Sequence, residues 1–386
     1  MNDNIVNIVL TGDENYVVPM GVAMFSIVKN LKRTKKARFF LLVSGWGEKQ
    51  EKEIRKLENC IIEIIHVEQY LNYFDKQSAK NFKLGYIKNL TPYYRLLIPK
   101  ILPDDIDKCF YFDADMICDA DLSALQDSIP DNILTAAVAE FVANEDYEIV
   151  LKHVKEWKEF SAFNQDRFNA PYFNAGFFFM NLKMAKELKV FDDFMNFLKA
   201  HPNPPYADQD TLNAICGQKY HDKMLFLKPN WNVFADMSFD ADFYGITVYP
   251  YHMVKEAFFA PYIYHYAGPN KPWQNEDCLN YINVWRKYFS LSPFYNSNLM
   301  ACEYKKKKIL WVSVFGIPTA KITMKSNEYK SYLFGLLPIK RCYCDKKKYY
   351  FLGIPVLKLL CSKTGDIHSG YLFFFLPIIK AKRKDK

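Results

Sequence analysis

What these 386 residues lack narrows the field first. Paired cysteines are missing: nine occur, an odd number, scattered singly apart from Cys342 and Cys344. No Cys-x-x-Cys pair and no Cys/His spacing marks a zinc site, so a disulfide scaffold and a zinc module are excluded. The pattern fits reduced thiols in a cytosolic compartment. Long apolar runs are missing too. None approaches the roughly 20 residues that span a bilayer, and the longest in the tail, Tyr371 to Ile379, is interrupted by Pro377. The first strand pattern starts at about Ile5, which leaves no room for a signal peptide. A soluble or peripheral protein is expected.

Acidic residues are scarce at one end only. Residues 301–386 hold 17 Lys and 2 Arg against 5 acidic residues, a net +14, whereas residues 1–300 hold 32 basic and 38 acidic residues, a net −6. A mildly acidic body therefore carries a strongly basic tail, which calls for an anionic partner such as a phospholipid surface or nucleic acid. Half of all residues are hydrophobic and 17% are aromatic, which places most of the chain outside the disordered class. The length suits one large domain with an appendage, or two modest domains.

Along the body, short apolar runs alternate with amphipathic stretches. Ile5 to Leu10 reads as a buried strand, Pro19 to Leu31 as a helix with proline at its start, and Phe39 to Val43 as a second strand. A helix over Glu48–Leu57, a strand over Cys60–Val67, a helix from Thr91 to Ile101 and a strand at Cys109–Phe112 follow. This β-α order predicts a mostly parallel sheet covered by helices, with ligands bound beyond the carboxyl ends of its strands. Further strands are expected near Leu134–Ala139, Phe177–Asn181, Met224–Leu227 and Pro261–Tyr266, and helices over 145–160, 182–200, 208–217 and from 281.

Two carboxylates one residue apart, Asp113 and Asp115, follow the Cys109–Phe112 strand. Strand alternation would point both to the same side, and two hard oxygen donors suit Mn²⁺ or Mg²⁺ with sites left for a diphosphate. The alternative is a solvated turn. A second Asp-x-Asp, Asp119-Ala120-Asp121, precedes Leu122-Ser123-Ala124-Leu125 and reads as a helix cap. Late in the chain, His265 heads a run that includes Gly268, Lys271 and Trp273. The imidazole could supply a nitrogen ligand to the same cation, Gly268 would let the backbone approach a phosphate, and Lys271 would neutralise it. Its bland reading is a core histidine before a proline-rich turn. In Tyr172-Phe173-Asn174-Ala175-Gly176 the small residues suit close approach to a sugar ring, or equally a tight turn into a strand. Asp208, Gln209 and Asp210 open a helix, where acids are favoured anyway; Gln209 gains nothing from the dipole and can hydrogen-bond a sugar or the reacting centre.

Taken in chain order, these fragments together with Ile8–Tyr16 and Thr91-Pro92-Tyr93-Tyr94-Arg95 resemble glycosyltransferase family 8 over roughly residues 5–290. The likeness is to the bacterial lipopolysaccharide α-galactosyl- and glucosyltransferases, and more distantly to glycogenin. It implies a single α/β nucleotide-sugar-binding domain of GT-A type over 1–290, with 291–386 as a basic, aromatic repeat region. It also implies retaining transfer of a hexose from a UDP-hexose to a glycan or lipid-linked oligosaccharide acceptor in surface-polysaccharide synthesis. By the same resemblance Asp113, Asp115 and His265 are the Mn²⁺ ligands, and Asp13, Asn15 and Tyr16 contact uridine. Gly268 and Lys271 contact the diphosphate, while Arg95, Asn174, Asp208 and Gln209 face the donor sugar. Glu140 falls near the acceptor. The pattern is departed from at Thr11-Gly12, where alanines are usual, and at Ala114, where a larger aliphatic is common.

The same residues admit rivals. Phe110 to Asp115 superficially resembles the nucleophile strand of haloacid-dehalogenase-type phosphatases, but about a hundred residues of β-α pattern precede it. Sugar nucleotidyltransferases would carry a basic Gly-rich loop where Thr11-Gly12-Asp13-Glu14 is acidic. A catalytically silent sugar-binding scaffold is a third reading, disfavoured by three intact candidate ligands. Gln209 is a weak nucleophile and reads as a positioning group, which leaves Asp208 as the conceivable covalent candidate.

From 305 a crude repeat appears: Phe315-Gly316-Ile317-Pro318, Phe334-Gly335-Leu336-Leu337-Pro338, Leu352-Gly353-Ile354-Pro355 and Phe374-Phe375-Leu376-Pro377, with prolines 20, 17 and 22 residues apart. Each is followed by a lysine. Prolines at this spacing favour turns and hairpins over long helices. Interleaved lysines and aromatics fit an anionic membrane surface, which would hold the protein at the cytoplasmic face of the inner membrane. A self-packing β-rich module is the alternative, and nucleic acid is not expected because the body is acidic.

Overall fold

A computed structural model describes residues 4–74, 90–140, 172–202, 204, 206–235, 249–268, 271–273, 280–295 and 297, with the backbone of strands between 307 and 379. The helix expected over 145–160 lies outside the described residues. Contacts divide the chain into two units, one of residues 1–267 and 280–300, the other of residues 268–279 and 301–386.

In the first unit the main sheet is built from β1 (Ile5–Gly12), β2 (Lys36–Val43), β3 (Cys60–His66), β4 (Lys108–Phe112), β6 (Thr135–Ala139), β7 (Phe173–Asn181) and β8 (Met224–Phe226). Their order is β3-β2-β1-β4-β7-β6-β8. β7 alone runs against its neighbours β4 and β6, and the other pairings are parallel, so the expected mostly parallel sheet is present. The strands are near-continuous apolar runs because both faces are covered: Ile8, Val9, Leu10, Phe39, Phe40, Phe110 and Phe112 are fully buried. The Val17–Asn30 helix, buried along most of its length, packs beside β1 and β2.

A second, small sheet positions the chemistry. β5 (Met116–Cys118), β9 (Val233–Phe234) and β10 (Ile263–His265) pair in the order β5-β10-β9, β10 antiparallel to β5 and parallel to β9. β5 leaves the end of β4 through the turn Asp113–Asp115, so any strand paired with β5 delivers its residues to that turn.

Several expected boundaries shift. The strand foreseen from Phe177 begins at Phe173, so Asn174, Ala175 and Gly176 belong to β7 rather than to a turn before it. The Thr91–Ile101 segment is a 3₁₀ turn, Thr91–Leu97, before one turn of α-helix, because Pro92 and Pro99 each remove a backbone donor. The 182–200 helix is broken in two at Lys189, whose φ of 56° is left-handed. Ala207–Leu212 runs on into a π-helical stretch, Asn213–Lys219. Asp121 does cap the Leu122–Ser128 helix, its Oδ1 accepting from the Ser123 N–H at 2.9 Å. Cys60, Cys109, Cys118 and Cys216 are free thiols.

The second unit holds two antiparallel meanders: β11 (Lys307–Val314), β12 (Ile317–Lys325), β13 (Glu328–Leu333) and β14 (Leu337–Ile339), then β15 (Lys346–Phe351), β16 (Ile354–Cys361), β17 (Ile367–Leu372) and β18 (Leu376–Ile379). The repeated prolines Pro318, Pro338, Pro355 and Pro377 fall at the second residue of β12, β14, β16 and β18, so each repeat turns the chain into the second strand of a hairpin. Register sorts the residues by face. One face of the first meander bears Lys307, Ile309, Trp311, Lys321, Lys325, Glu328, Lys330 and Tyr332; the other bears Lys308 and Tyr329 among the mainly apolar Leu310, Ile322, Met324, Leu333, Leu337 and Ile339. The second meander repeats a row of this kind, Lys348–Lys358–Tyr371, and opposite it places Tyr349, Leu357, Leu372 and Leu376.

Candidate active site

Asp113, Asp115 and His265 come together: one ligand atom from each lies within 4.8 Å of the others. The carboxylates do not share a face by strand alternation, since β4 ends at Phe112 and both sit in the turn that follows. Backbone pairing brings the imidazole in. His265 is in register with Met116, the residue after Asp115, and the Tyr266 N–H donates to the Asp115 carbonyl at 2.9 Å. On the other side, the Asp113 N–H donates to the Gly176 carbonyl at 2.8 Å, which ties the turn to β7.

Asp113 is held from behind. Its Oδ1 accepts from Nη2 of Arg95 at 3.0 Å and from the Tyr111 hydroxyl at 2.6 Å, while Oδ2 faces Nε2 of His265 at 3.8 Å. Nε2 of His265 also lies 3.5 Å from Oδ1 of Asp115. The Tyr111 hydroxyl, which donates to Asp113, is met by Thr11 Oγ1 at 2.8 Å, so Thr11 steadies the tyrosine that steadies Asp113. Burial pushes the Asp113 carboxyl up, opposed by the Arg95 charge. Arg95 is itself buried and sits 4.4 Å above the Tyr111 ring; burial works against its charge, but Asp113 and Asp208 outweigh it and leave its pKa above the usual value. Two hard carboxylate oxygens and one imidazole nitrogen fit a divalent ion such as Mn²⁺ or Mg²⁺. Neighbouring ligands around a six-coordinate ion stand about 3 Å apart, and the two carboxylate oxygens lie 3.8 and 3.5 Å from Nε2 of His265.

The sugar-side candidates form a chain of amides. Gln209 Oε1 accepts from the Ala175 N–H and from Nδ2 of Asn174, both at 3.0 Å, and its Nε2 donates to Glu140 at 3.4 Å. Arg95 reaches Asp208 Oδ2 through Nε at 3.0 Å, and burial pushes Asp208 up to about 6. Its Nη1 donates to the Ala175 carbonyl, so Arg95 bridges the Asp113 turn, β7 and the Asp208 helix. Ala207, at the start of that helix, has a φ of 55°, a conformation stored at cost in a residue with a Cβ.

At the β1 end, Asp13 closes a turn by accepting from the Asn15 N–H at 2.9 Å, and its carbonyl accepts from the Trp46 indole at 2.9 Å. Burial, then the charges of Asp115, Asp113 and Asp13, raise the Tyr16 hydroxyl above its ordinary range, so it shares the field of the carboxylate pair. Gly268 has a φ of 76° and Lys271 is buried; both belong to the second unit.

Gly176 is small where the site is crowded. A Cβ there would stand 2.6 Å from Cε1 of His265 and 2.7 Å from Cε of Met116, so the glycine makes room for the imidazole. Sequence reasoning also missed Asn232, whose Oδ1 lies 3.0 Å from Nδ1 of His265, and Tyr111. The available signal was an amide within the otherwise apolar Trp231-Asn232-Val233-Phe234 run, since a buried amide requires partners.

A mostly parallel sheet with a carboxylate pair at the end of β4 and a histidine arriving on a separate small sheet defines a glycosyltransferase of GT-A-like fold. The sequence model of glycosyl transferase family 8 matches residues 7–277, and the chain belongs to that family. It is 26% identical to a lipopolysaccharide 1,2-glucosyltransferase of Escherichia coli, covering 74% of this chain and 78% of the relative. It is 23% identical to general stress protein A of Bacillus subtilis, covering 76% of this chain and 96% of the relative. Among solved structures, the galactosyltransferase LgtC, determined with donor and acceptor sugar analogs, shares the fold at a TM-score of 0.57 and 20% identity, over 75% of this chain and 96% of that one. The bifunctional glycosyltransferase WbbM does so at 0.59 and 23% identity, over 76% of this chain and 50% of that one, so this chain spans half of that protein. GT-A-type glycosyltransferases typically use a divalent metal and a nucleotide sugar, in accord with the Asp-Asp-His group.

Proposed function

We propose that the protein is a retaining hexosyltransferase that moves galactose or glucose from a UDP-hexose to a glycan acceptor, in the synthesis of lipopolysaccharide or another surface polysaccharide. The observation that carries this reading is the convergence of Asp113, Asp115 and His265 from two sheets onto one point. A divalent cation held there supplies Lewis-acid stabilisation to a departing diphosphate. The chain's own residues do the rest. Asp13, Asn15 and Tyr16 seat the uridine. Arg95, Asn174, Asp208 and Gln209 orient the donor sugar, and Glu140 faces the acceptor. The acceptor hydroxyl attacks from the face the leaving group vacates: the C1–O bond to the phosphate breaks, the C1–O bond to the acceptor forms, and the departing phosphate oxygen takes the proton. Gln209 is pinned by two donors at Oε1, which suits positioning rather than attack.

The lysine- and aromatic-bearing faces of the two meanders support a peripheral attachment to an anionic membrane surface on the cytoplasmic side, close to a lipid-linked acceptor. Among the described residues no helix is long and apolar enough to cross a membrane.

The test is UDP release from a panel of UDP-sugars with Mn²⁺ titrated in. Release from UDP-galactose or UDP-glucose, abolished in a folded Asp115→Asn variant, is the expected result. Full activity of that variant would end the metal-site assignment.

A further inference from the structure

The tautomer of His265 is dictated from outside the metal group, and the direction of every hydrogen bond that sets it can be worked out. Two backbone N–H groups of β7 are the fixed points, because a peptide N–H can only donate. The Gly176 N–H donates to Oδ1 of Asn174 at 3.0 Å, and the Ala175 N–H donates to Oε1 of Gln209 at 3.0 Å. Asn174 therefore presents its oxygen toward Gly176 and its NH₂ toward Gln209, where Nδ2 donates at 3.0 Å. The amide of Asn232 meets the same oxygen of Asn174 at 3.0 Å and must face it with Nδ2. That leaves the Asn232 oxygen against Nδ1 of His265, also at 3.0 Å. An oxygen there accepts, so Nδ1 carries a proton; in the neutral ring, the form that binds a cation, the lone pair is therefore on Nε2, which faces Asp113 and Asp115. The relay is protected: Asn232 is 1% exposed and His265 3%.

We propose that Asn232 is a positioning residue, which locks His265 in the Nδ1–H form so that Nε2 is the ligand nitrogen, and couples it through Asn174 to Gln209 on the donor-sugar side. Asn232 reaches this place because β9, which begins at the next residue, pairs with β10 in the register Phe234↔His265. The inference rests on the metal-site reading above and adds to it a route by which the metal side and the sugar side share one orientation.

Two measurements test it. In the metal-free wild type, at a pH where the ring spectra show neutral imidazole, long-range ¹H–¹⁵N NMR of the histidine rings is expected to show His265 as a single Nδ1–H tautomer; a neutral Nε2–H tautomer there overturns the proposal whatever the variants do. In parallel, Mn²⁺ binding is followed by the loss of the free-ion electron paramagnetic resonance signal. Asn232→Leu is expected to weaken Mn²⁺ binding by about 10- to 100-fold and to mix the tautomers. Wild-type affinity with an unchanged tautomer overturns the role. If the leucine variant does not fold, Asn232→Asp serves instead. A carboxylate still accepts from Nδ1–H, so the tautomer must persist while the donor to Asn174 is lost and kcat falls; loss of the Nδ1–H form in this variant counts against the proposal. Asn230→Ala controls for general weakening, since Asn230 is equally buried but donates to the Ala260 carbonyl at 2.9 Å; its Mn²⁺ affinity should match the wild type. His265→Ala separates the two readings: wild-type Mn²⁺ binding by that variant sinks the metal site itself, whereas a failure confined to the Asn232 variants sinks only the positioning role.

Discussion

Arg95 grips Asp113 by Oδ1 at 3.0 Å and so turns the other carboxylate oxygen toward His265. The same guanidinium takes Asp208 through Nε at 3.0 Å. One buried cation thus orients a candidate metal ligand and offsets the charge of a candidate donor-sugar contact, Asp208. Arg95→Lys keeps the charge, but an ammonium lacks the planar fork that reaches both acids and the Ala175 carbonyl. A folded protein with turnover reduced at least about 100-fold is expected, on the scale that a misplaced site group costs. Arg95→Leu leaves the buried Asp208 and the half-buried Asp113 without their cation and should lose about 3–5 kcal/mol of stability. Urea melts read beside UDP release check both; near-wild-type turnover by the lysine variant would show that the bridge is dispensable.

Gly176→Ala adds a single methyl, and that methyl would meet Cε1 of His265 at 2.6 Å. Met116 can swing its terminal methyl away, but a buried ring on a paired strand cannot. His265 should be displaced, with Mn²⁺ affinity and turnover both falling and folding retained. The comparison is Mn²⁺-induced thermal stabilisation of the variant and the wild type. An equal shift in Tm would mean that the pocket accommodates the methyl.

How much of this was legible in the sequence depends on the distance over which each feature is specified. The strand leading to Asp113 is a local apolar run, and the family pattern linked it to His265, so both were visible. The registration of His265 on Met116 was not, because β5 and β9 have only three and two residues and leave no periodicity. Asn232 was hidden for the same reason. A buried amide looks like any loop asparagine until its partners, Asn174 and His265, are brought in from 58 and 33 residues away. Gly176 could be read as a small residue near a ligand, but which neighbour needed the space is a tertiary fact. The tail was legible as hairpins from its prolines; the gathering of most first-meander lysines with Trp311 and Tyr332 on one face needed the register.

Asp210 gives a pH signature. Burial pushes its carboxyl up to about 7, although it accepts from the Tyr172 hydroxyl at 2.6 Å and the Tyr206 N–H at 2.8 Å. The folded state therefore keeps a proton that the unfolded chain, at the ordinary 3.8, gives up. Stability from this group is highest below about pH 4, falls as pH rises toward about 7, and is level above it. Asn at this position can accept from Tyr206 through Oδ1 and donate to the tyrosine oxygen through Nδ2, without titrating. The stability of the wild type minus that of Asp210→Asn should fall by about 2–4 kcal/mol between pH 4 and pH 8. Urea midpoints at four pH values measure it. A constant difference would place the Asp210 pKa near its unfolded value.

The tail prediction turns on face rather than on charge count. Lys321, Lys325 and Lys330 share a face of the first meander with Trp311 and Tyr332, and the opposite face is mainly apolar. A face that meets anionic headgroups gains about 1 kcal/mol per lysine, so replacing these three with glutamine should weaken vesicle binding by about 100-fold. Lys382, Lys384 and Lys386 lie beyond the last strand, and replacing them removes the same charge from outside both meanders. Flotation of the full-length protein with vesicles of anionic phospholipid, at fixed salt, compares the two triple variants. A large loss in the first and a small one in the second is the outcome that a docking face requires. Equal losses would mean that the tail acts as a diffuse polycation, and no loss in either would remove the membrane from the account and leave the meanders as a self-packing module.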